Sequence, residues 1–378
     1  MKRQGKVLWT LLNKGGRKGG DELIPLYKPH MPSLPELNDI LNSGQLAAGN
    51  YTKKFENDLY MFFAEKNVLT VNTFNSAVSI AASCAGCKYG DEIVVSPMAC
   101  LASTQPYAAA GLKIVWADID PHTGTLDPES VEKKISRNTT CIIHNHFCGY
   151  PGYIDEINEI GKKYGVTVID DGIECFGATY KGRMIGNCGT DITVFSFNPV
   201  RMLTTVDGGA ILFNTREMYE QGCLMRDCGI DRNIFRDELG EISLECDITI
   251  PGFSATLSNV NAYIGIRQLE TIQERLNKQK RLAGKWDNMI KEIGPYKPLI
   301  SVDGEPNYWV YGILAPDKRE CIKNFRDLGY YASGVHINNN RYSVFGEQAA
   351  LSGVNEFYNS FVALPCGWWM DENHDCIV

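Results

Sequence analysis

The chain has 378 residues, 44% of them hydrophobic and 22% charged, with a net charge of −8 at pH 7. That length supports two packed domains, and the composition is that of an ordinary globular protein. An acidic balance without a Lys/Arg cluster excludes nucleic acid as a main partner, and no apolar run is long enough for a membrane span.

Residues 1–25 are rich in Gly and Lys and lack periodicity, so they read as a loose arm. The apolar run from Val7 to Leu12 is too short for a signal-peptide core. The thirteen cysteines sit inside apolar runs (Cys84, Cys100, Cys141, Cys175) as often as in loops, the habit of reduced, buried thiols. The expected location is the cytoplasm. Cys84-Ala-Gly-Cys87 is a CxxC that ends an alanine-rich helical pattern, with no second pair at zinc-knuckle distance. It reads as structural thiols ahead of a redox or metal pair.

A short helix is expected from Leu34 to Leu41. A second runs from about Thr52 to Glu65, with Phe55, Leu59, Phe62 and Phe63 on one buried face. Val68 to Asn72 is a short strand that leads into Thr73-Phe74-Asn75-Ser76-Ala77, the start of the next helix. Asn75 or Ser76 can cap that helix, whose free N–H groups and positive dipole end suit an anion. A plain cap and an anion site both remain open. Asp91–Val95, Leu112–Asp118 and Thr140–His146 follow as buried strands, and Asp127-Pro128 opens a helix between the last two. Strands and helices alternating at this spacing predict a mainly parallel sheet, and right-handed crossovers bring the strand ends to one edge.

The stretch Val166 to Asn214 concentrates the chemistry. Its first strand ends in Asp170 and Asp171, with Glu174 just beyond. A second apolar run, Ile192 to Phe197, carries Ser196. Arg201 follows, and Asp207-Gly208-Gly209 leads into a third strand, Ala210 to Phe213. Acids, a serine and a cation at the mouths of consecutive strands describe a ligand site. His144 and His146 alternate on the preceding strand, so both imidazoles face one way. Asp171 or Glu174 would have to supply a third ligand for a metal, and no metal ligand is assigned. Beyond Asn214, residues 230–250 are acidic and irregular. Leu257 to about Ile293 reads as a long helix. Strands Tyr308–Leu314 and Ala332–His336 then flank a helix near Arg319–Leu328, an α+β pattern.

The segment from Ile169 to Gly209 resembles, without a gap, the active-site segment of the DegT/StrS family of nucleotide-sugar aminotransferases, which use pyridoxal phosphate (PLP). Residues 43–60 and 257–270 are similar to the same family. The resemblance implies the fold-type-I α/β architecture. A large domain over 1–250 would hold a mostly parallel sheet of the seven-stranded type, with a small α+β domain over 251–378. It implies a homodimer with active sites at the interface. It places Asp171 against the pyridine nitrogen, Glu174 near the phenolic oxygen, and Ser196 on the phosphate-binding serine. Asn75 and Ser76 fall in the phosphate-holding turn, and His146 falls where the family often has a histidine near the cofactor. His336, with Arg341 and Tyr342, falls at the sugar-binding edge. Arg201 falls on the lysine that forms the internal aldimine. Phe74, Cys100, Cys228 and Gly252 also depart from the family pattern, Cys100 standing where an aromatic usually stacks on the ring.

Arginine cannot replace that lysine. Its guanidinium stays protonated, with a pKa above about 12, and forms no imine. Several departures together argue for natural divergence over one engineered change. Asp171 and Glu174 are expected to face Arg201. The group is then either a buried ion pair that holds the pocket, or carboxylates that move protons while Arg201 grips a phosphate or oxyanion. The expected activity is an enzyme on a nucleotide-linked deoxy or keto sugar, in surface-polysaccharide or sugar biosynthesis, working without a lysine aldimine. PLP or pyridoxamine phosphate would be bound non-covalently, or no cofactor is used. The alternatives are a non-catalytic sugar-nucleotide-binding or scaffold relative, and a Lys-to-Arg trapped form of an ordinary aminotransferase.

Overall fold

A computed structural model describes residues 23–346 and 350–370. In chain order the strands are β1 (Asn67–Val71), β2 (Glu92–Val95), β3 (Lys113–Trp116), β4 (Thr139–Asn145), β5 (Thr167–Asp171), β6 (Thr179–Tyr180), β7 (Arg183–Met184), β8 (Ile192–Ser196), β9 (Gly209–Phe213), β10 (Lys297–Pro298), β11 (Gly304–Glu305), β12 (Tyr311–Leu314) and β13 (Phe361–Leu364). Seven of them form the main sheet in the order β1-β9-β8-β5-β4-β2-β3. The pairs from β8 through β5, β4 and β2 to β3 are parallel, and β9 runs antiparallel to both neighbours. The mainly parallel α/β sheet read from the sequence is therefore present. Every residue of β8 and β9 is buried, as expected of strands covered on both faces.

The β4/β5 register positions the site. His144 lies beside Asp170, and Asn145 beside Asp171. Side chains alternate between faces along a strand, so each acid shares a face with the residue next to it in the register.

Helices cover both faces. The helix Phe74–Cys84 packs one side, in a cluster with Leu69, Ile143 and Ile211. On the other, Phe55, Phe63, Phe195 and Phe197 join Ile266 and Leu276. Gly265 is needed there, because a Cβ would lie 2.4 Å from the Phe55 ring. A smaller sheet, β10-β12-β13, carries its own cluster around Trp286, Tyr311, Phe325 and Leu364.

Several expectations need correction. The long helix from 257 is two helices, Asn259–Leu269 and Ile272–Ile293. They bury against different partners, Ala262 and Ile266 on the Phe55 side and Trp286 and Ile290 in the small cluster. Residues 332–336 are not a strand. Ser333 makes one bridge to Ala363, and Val335 then turns at φ +57°. The strand expected from Tyr308 begins at Tyr311, because Tyr308 is held at φ +54°. Of the expected loose arm, 1–22 lie outside the described residues. Ile24 pairs in parallel with Tyr330 and Leu26 is buried, so the arm's end is tied down.

Candidate active site

Glu174 is the hub. It is buried just past the carboxyl end of β5. Its Oε2 accepts the Cys148 backbone N–H at 2.8 Å. Its Oε1 lies 2.9 Å from His336 Nε2 and accepts from Arg201 Nη1 at 3.4 Å. Burial pushes its pKa up, but His336, Arg201 and the Cys148 N–H outweigh burial, and the carboxyl sits below its ordinary range. Two non-glycine residues at positive φ, Cys148 and Val335, turn the chain to bring these groups together. Asn307 clamps the Glu174 backbone, its Nδ2 donating to the Glu174 carbonyl at 2.7 Å.

Arg201 is nearly buried, with 7% of its side chain exposed. Its guanidinium lies 4.9 Å from the Trp309 ring centroid. The Trp309 indole N–H donates to the Val200 carbonyl at 2.7 Å, which locks ring and loop together. Tyr27 stacks on the same indole, with centroids 4.6 Å apart. Lys181 is elsewhere, 2.7 Å from Asp155.

Asp171 does not face Arg201, contrary to expectation. It accepts from Asn145 Nδ2 at 3.2 Å and the Ile173 N–H at 3.0 Å, and burial raises its pKa. The sequence put both acids opposite the cation, but alternation on β5 and the turn after it separate them. The histidine pair also has a different partner. Asp170, not Asp171 or Glu174, joins His144 and His146, at 3.2 and 3.5 Å. All three are fully buried. His144 and His146 are 4.7 Å apart by ring centroid, on one face as expected. Thr190 donates to the other Asp170 oxygen at 2.6 Å. The two imidazoles hold Asp170 below its ordinary range against the effect of burial. A second group of ligand type, Cys148, Glu174 and His336, shares its carboxylate with Arg201, a cation that competes with any metal.

The expected anion turn is also rearranged. Thr73 is the helix cap, accepting from the Ser76 N–H at 3.0 Å. Ser76 Oγ donates to Asn72 Oδ1 at 2.8 Å. Asn75 is exposed and lines a different cavity, with Tyr89, Tyr107 and Phe253. Phe74 is buried in the sheet cluster. Ser196 is buried and accepts from the Asn198 N–H at 3.3 Å. Cys100 does lie in the site. Its thiol is raised by burial and then by Glu174. His336 is not an exposed loop histidine. Arg341 and Tyr342 are exposed, and the Arg341 guanidinium lies over Tyr358 at 5.8 Å, away from Glu174. Sequence reading missed Tyr27, Cys148, Asn307 and Trp309. Only the positive-φ positions and the aromatic pair could have flagged them, and neither is visible without the fold.

The DegT/DnrJ/EryC1/StrS aminotransferase family profile matches residues 31–374. The chain belongs to this family. The chain is 25% identical over 345 residues to the spore coat polysaccharide biosynthesis protein SpsC of Bacillus subtilis, covering 88% of each chain. The sugar aminotransferase CalS13 of Micromonospora echinospora is 27% identical and superposes with a TM-score of 0.86, over 94% of this chain and 97% of that one. AtS13 of Actinomadura melliaura is 30% identical with a TM-score of 0.86, over 93% and 96%.

The family's fold implies PLP. Arg201, which the sequence resemblance puts at the covalent anchor, is already engaged with Glu174 and Trp309. The hydroxyls of Thr73 and Ser76 are spent on each other and on Asn72. Asp171 and Glu174 remain for ring contacts. The residues do not fit a covalently anchored PLP.

Proposed function

We propose that this chain acts on a nucleotide-linked deoxy or keto sugar in polysaccharide or sugar biosynthesis, through a site without the imine-forming lysine. The observation that carries the reading is the fixed position of Arg201, paired to Glu174 and covered by Trp309. In this reading Arg201 holds an anionic part of the substrate or a developing oxyanion. Glu174 and His336, 2.9 Å apart, form a proton-holding pair. His146 and Asp170 brace the floor of the site through β4 and β5. The likeness to a spore coat polysaccharide protein and a sugar aminotransferase supports the substrate class. PLP or pyridoxamine phosphate, if used, binds without a covalent link.

We also place the site in a homodimer. The segment 230–250 exposes Leu239, Ile242 and Leu244, an apolar surface suited to a second subunit. A cytoplasmic location accords with reduced thiols, since no disulfide joins the cysteines among the described residues.

The test combines a visible-absorbance scan after PLP addition with turnover of a nucleotide-sugar panel. The expected result is no covalent PLP spectrum and measurable turnover. Binding without turnover would favour the non-catalytic relative. An Arg201→Lys variant that turns yellow and transaminates, beside an inert parent, would favour the trapped aminotransferase.

A further inference from the structure

Beneath the Tyr27–Trp309 stack lies a cavity of about 30 Å³. That is roughly twice the ~10–15 Å³ a single water needs. Its lining includes Lys28, His30, Arg201, Arg275, Trp309 and Trp368. Among the described residues, neither Asp171, Glu174 nor any other acid lines it.

Two of these residues are buried cations. Arg201 is 7% exposed in its side chain and Arg275 is 6% exposed. Arg275 Nη1 donates to the Met202 carbonyl at 2.5 Å, and Nη2 to the Gln268 carbonyl at 2.8 Å. No carboxylate meets it among the described residues, and burial alone lowers its pKa to about 10. Carbonyl dipoles offset only part of a buried positive charge. The Nε–H of Arg275 and the Nε–H of Arg201 are both buried, with no hydrogen-bond partner among the described residues. Buried donors of this kind call for an acceptor. The neutral groups nearby are spoken for. Gln279 donates to the carbonyls of Asn307 and Tyr308. His30 pairs with Gln268, and burial and the Arg275 charge lower its pKa. Lys28 is exposed at the rim, its ammonium 5.3 Å from the Trp368 ring centroid.

The geometry points to a small-anion site in this cavity, sized for a halide, a small oxyanion or a single carboxylate, held between Arg201 and Arg275 with Lys28 at the rim. It is independent of which sugar the neighbouring site takes, and it ties the charge of Arg201 to two anions, Glu174 and the bound one. The anion comes from solution.

The full chain, dialysed into an anion-poor zwitterionic buffer, is titrated with sodium chloride and with sodium phosphate, ionic strength being held with a bulky gluconate salt. Tryptophan emission is the readout, since Trp309 and Trp368 line the cavity. Two variants accompany it: Arg275→Gln and Lys28→Gln. A saturable response in the wild type, weakened about tenfold in Arg275→Gln, supports the site. Lys28 is on the surface, so its variant folds even if Arg275→Gln does not, and it weakens binding about threefold. No saturable response in the wild type overturns the proposal. So does a response that Lys28→Gln and Arg275→Gln leave unchanged.

Discussion

Glu174 shows how one side chain sets the character of the site. It is buried and holds the Arg201 guanidinium and the His336 imidazole on one oxygen. Glu174→Gln removes the charge that balances Arg201. It is expected to cost about 3 kcal/mol in urea unfolding, the penalty of leaving a buried guanidinium unpaired. Adding Arg201→Met should recover much of that loss, which a double-mutant cycle measures. The pH dependence follows from the depressed native pKa of Glu174. Its contribution is fully present above the ordinary glutamate value of about 4.3, and is lost as pH falls through the lower native value. The stability gap between wild type and Glu174→Gln should therefore stay level from neutral pH to about 5 and shrink below about 4. A gap that widens in acid would contradict the assignment. The identity of residue 201 was legible in the sequence. Its partner was legible in part: Glu174 was expected and is there, but local spacing put Asp171 beside it equally.

At the scale of elements, the helix Phe74–Cys84 and the N-terminal strap carry the lesson. Thr73, not Asn75 or Ser76, caps the helix. All three residue types suit the position, and only the backbone decides which one stands at the boundary. Thr73→Ala should cost about 1 kcal/mol in thermal unfolding, whereas Asn75→Ala, at an exposed position, should cost little. Equal losses would argue against the assignment. The strap is the larger surprise. Ile24 pairs with Tyr330, the Trp369 indole donates to the Pro25 carbonyl at 2.9 Å, and Tyr27 reaches Trp309. A Gly/Lys-rich start gives no periodic signal of such docking, because the contacts join residues at opposite ends of the chain, up to 344 positions apart. The CxxC fits its bland reading: Cys84 Sγ meets Met225 Sδ at 3.9 Å, while Cys87 pairs with Cys141.

For the whole molecule, the main sheet and the small sheet keep separate cores, and the helix Ile272–Ile293 runs from one to the other, with Leu276 in the first and Trp286 in the second. Trp286 is fully buried and its indole N–H donates to the Pro365 carbonyl at 2.9 Å. We propose a large domain over 1–250 and a small one over 251–378, with this helix carrying the small domain's core back onto the large one. Trp286→Ala should cost about 4 kcal/mol and loosen the small domain first. Hydrogen exchange would then rise in β12 and β13 before β5 and β8. Uniform exchange across both sheets would instead indicate one cooperative unit.

By itself the sequence determined the seven strands of the main sheet, their mainly parallel arrangement and the arginine at residue 201, since period, turn residues and side-chain identity are local properties. Only the tertiary structure decided that Asp170 serves the histidines, that Asp171 stands apart, and that Glu174 gathers Arg201 and His336. Those pairings depend on strand register, on two positive-φ turns and on loops that meet from distant parts of the chain. No window of neighbouring residues encodes such distances.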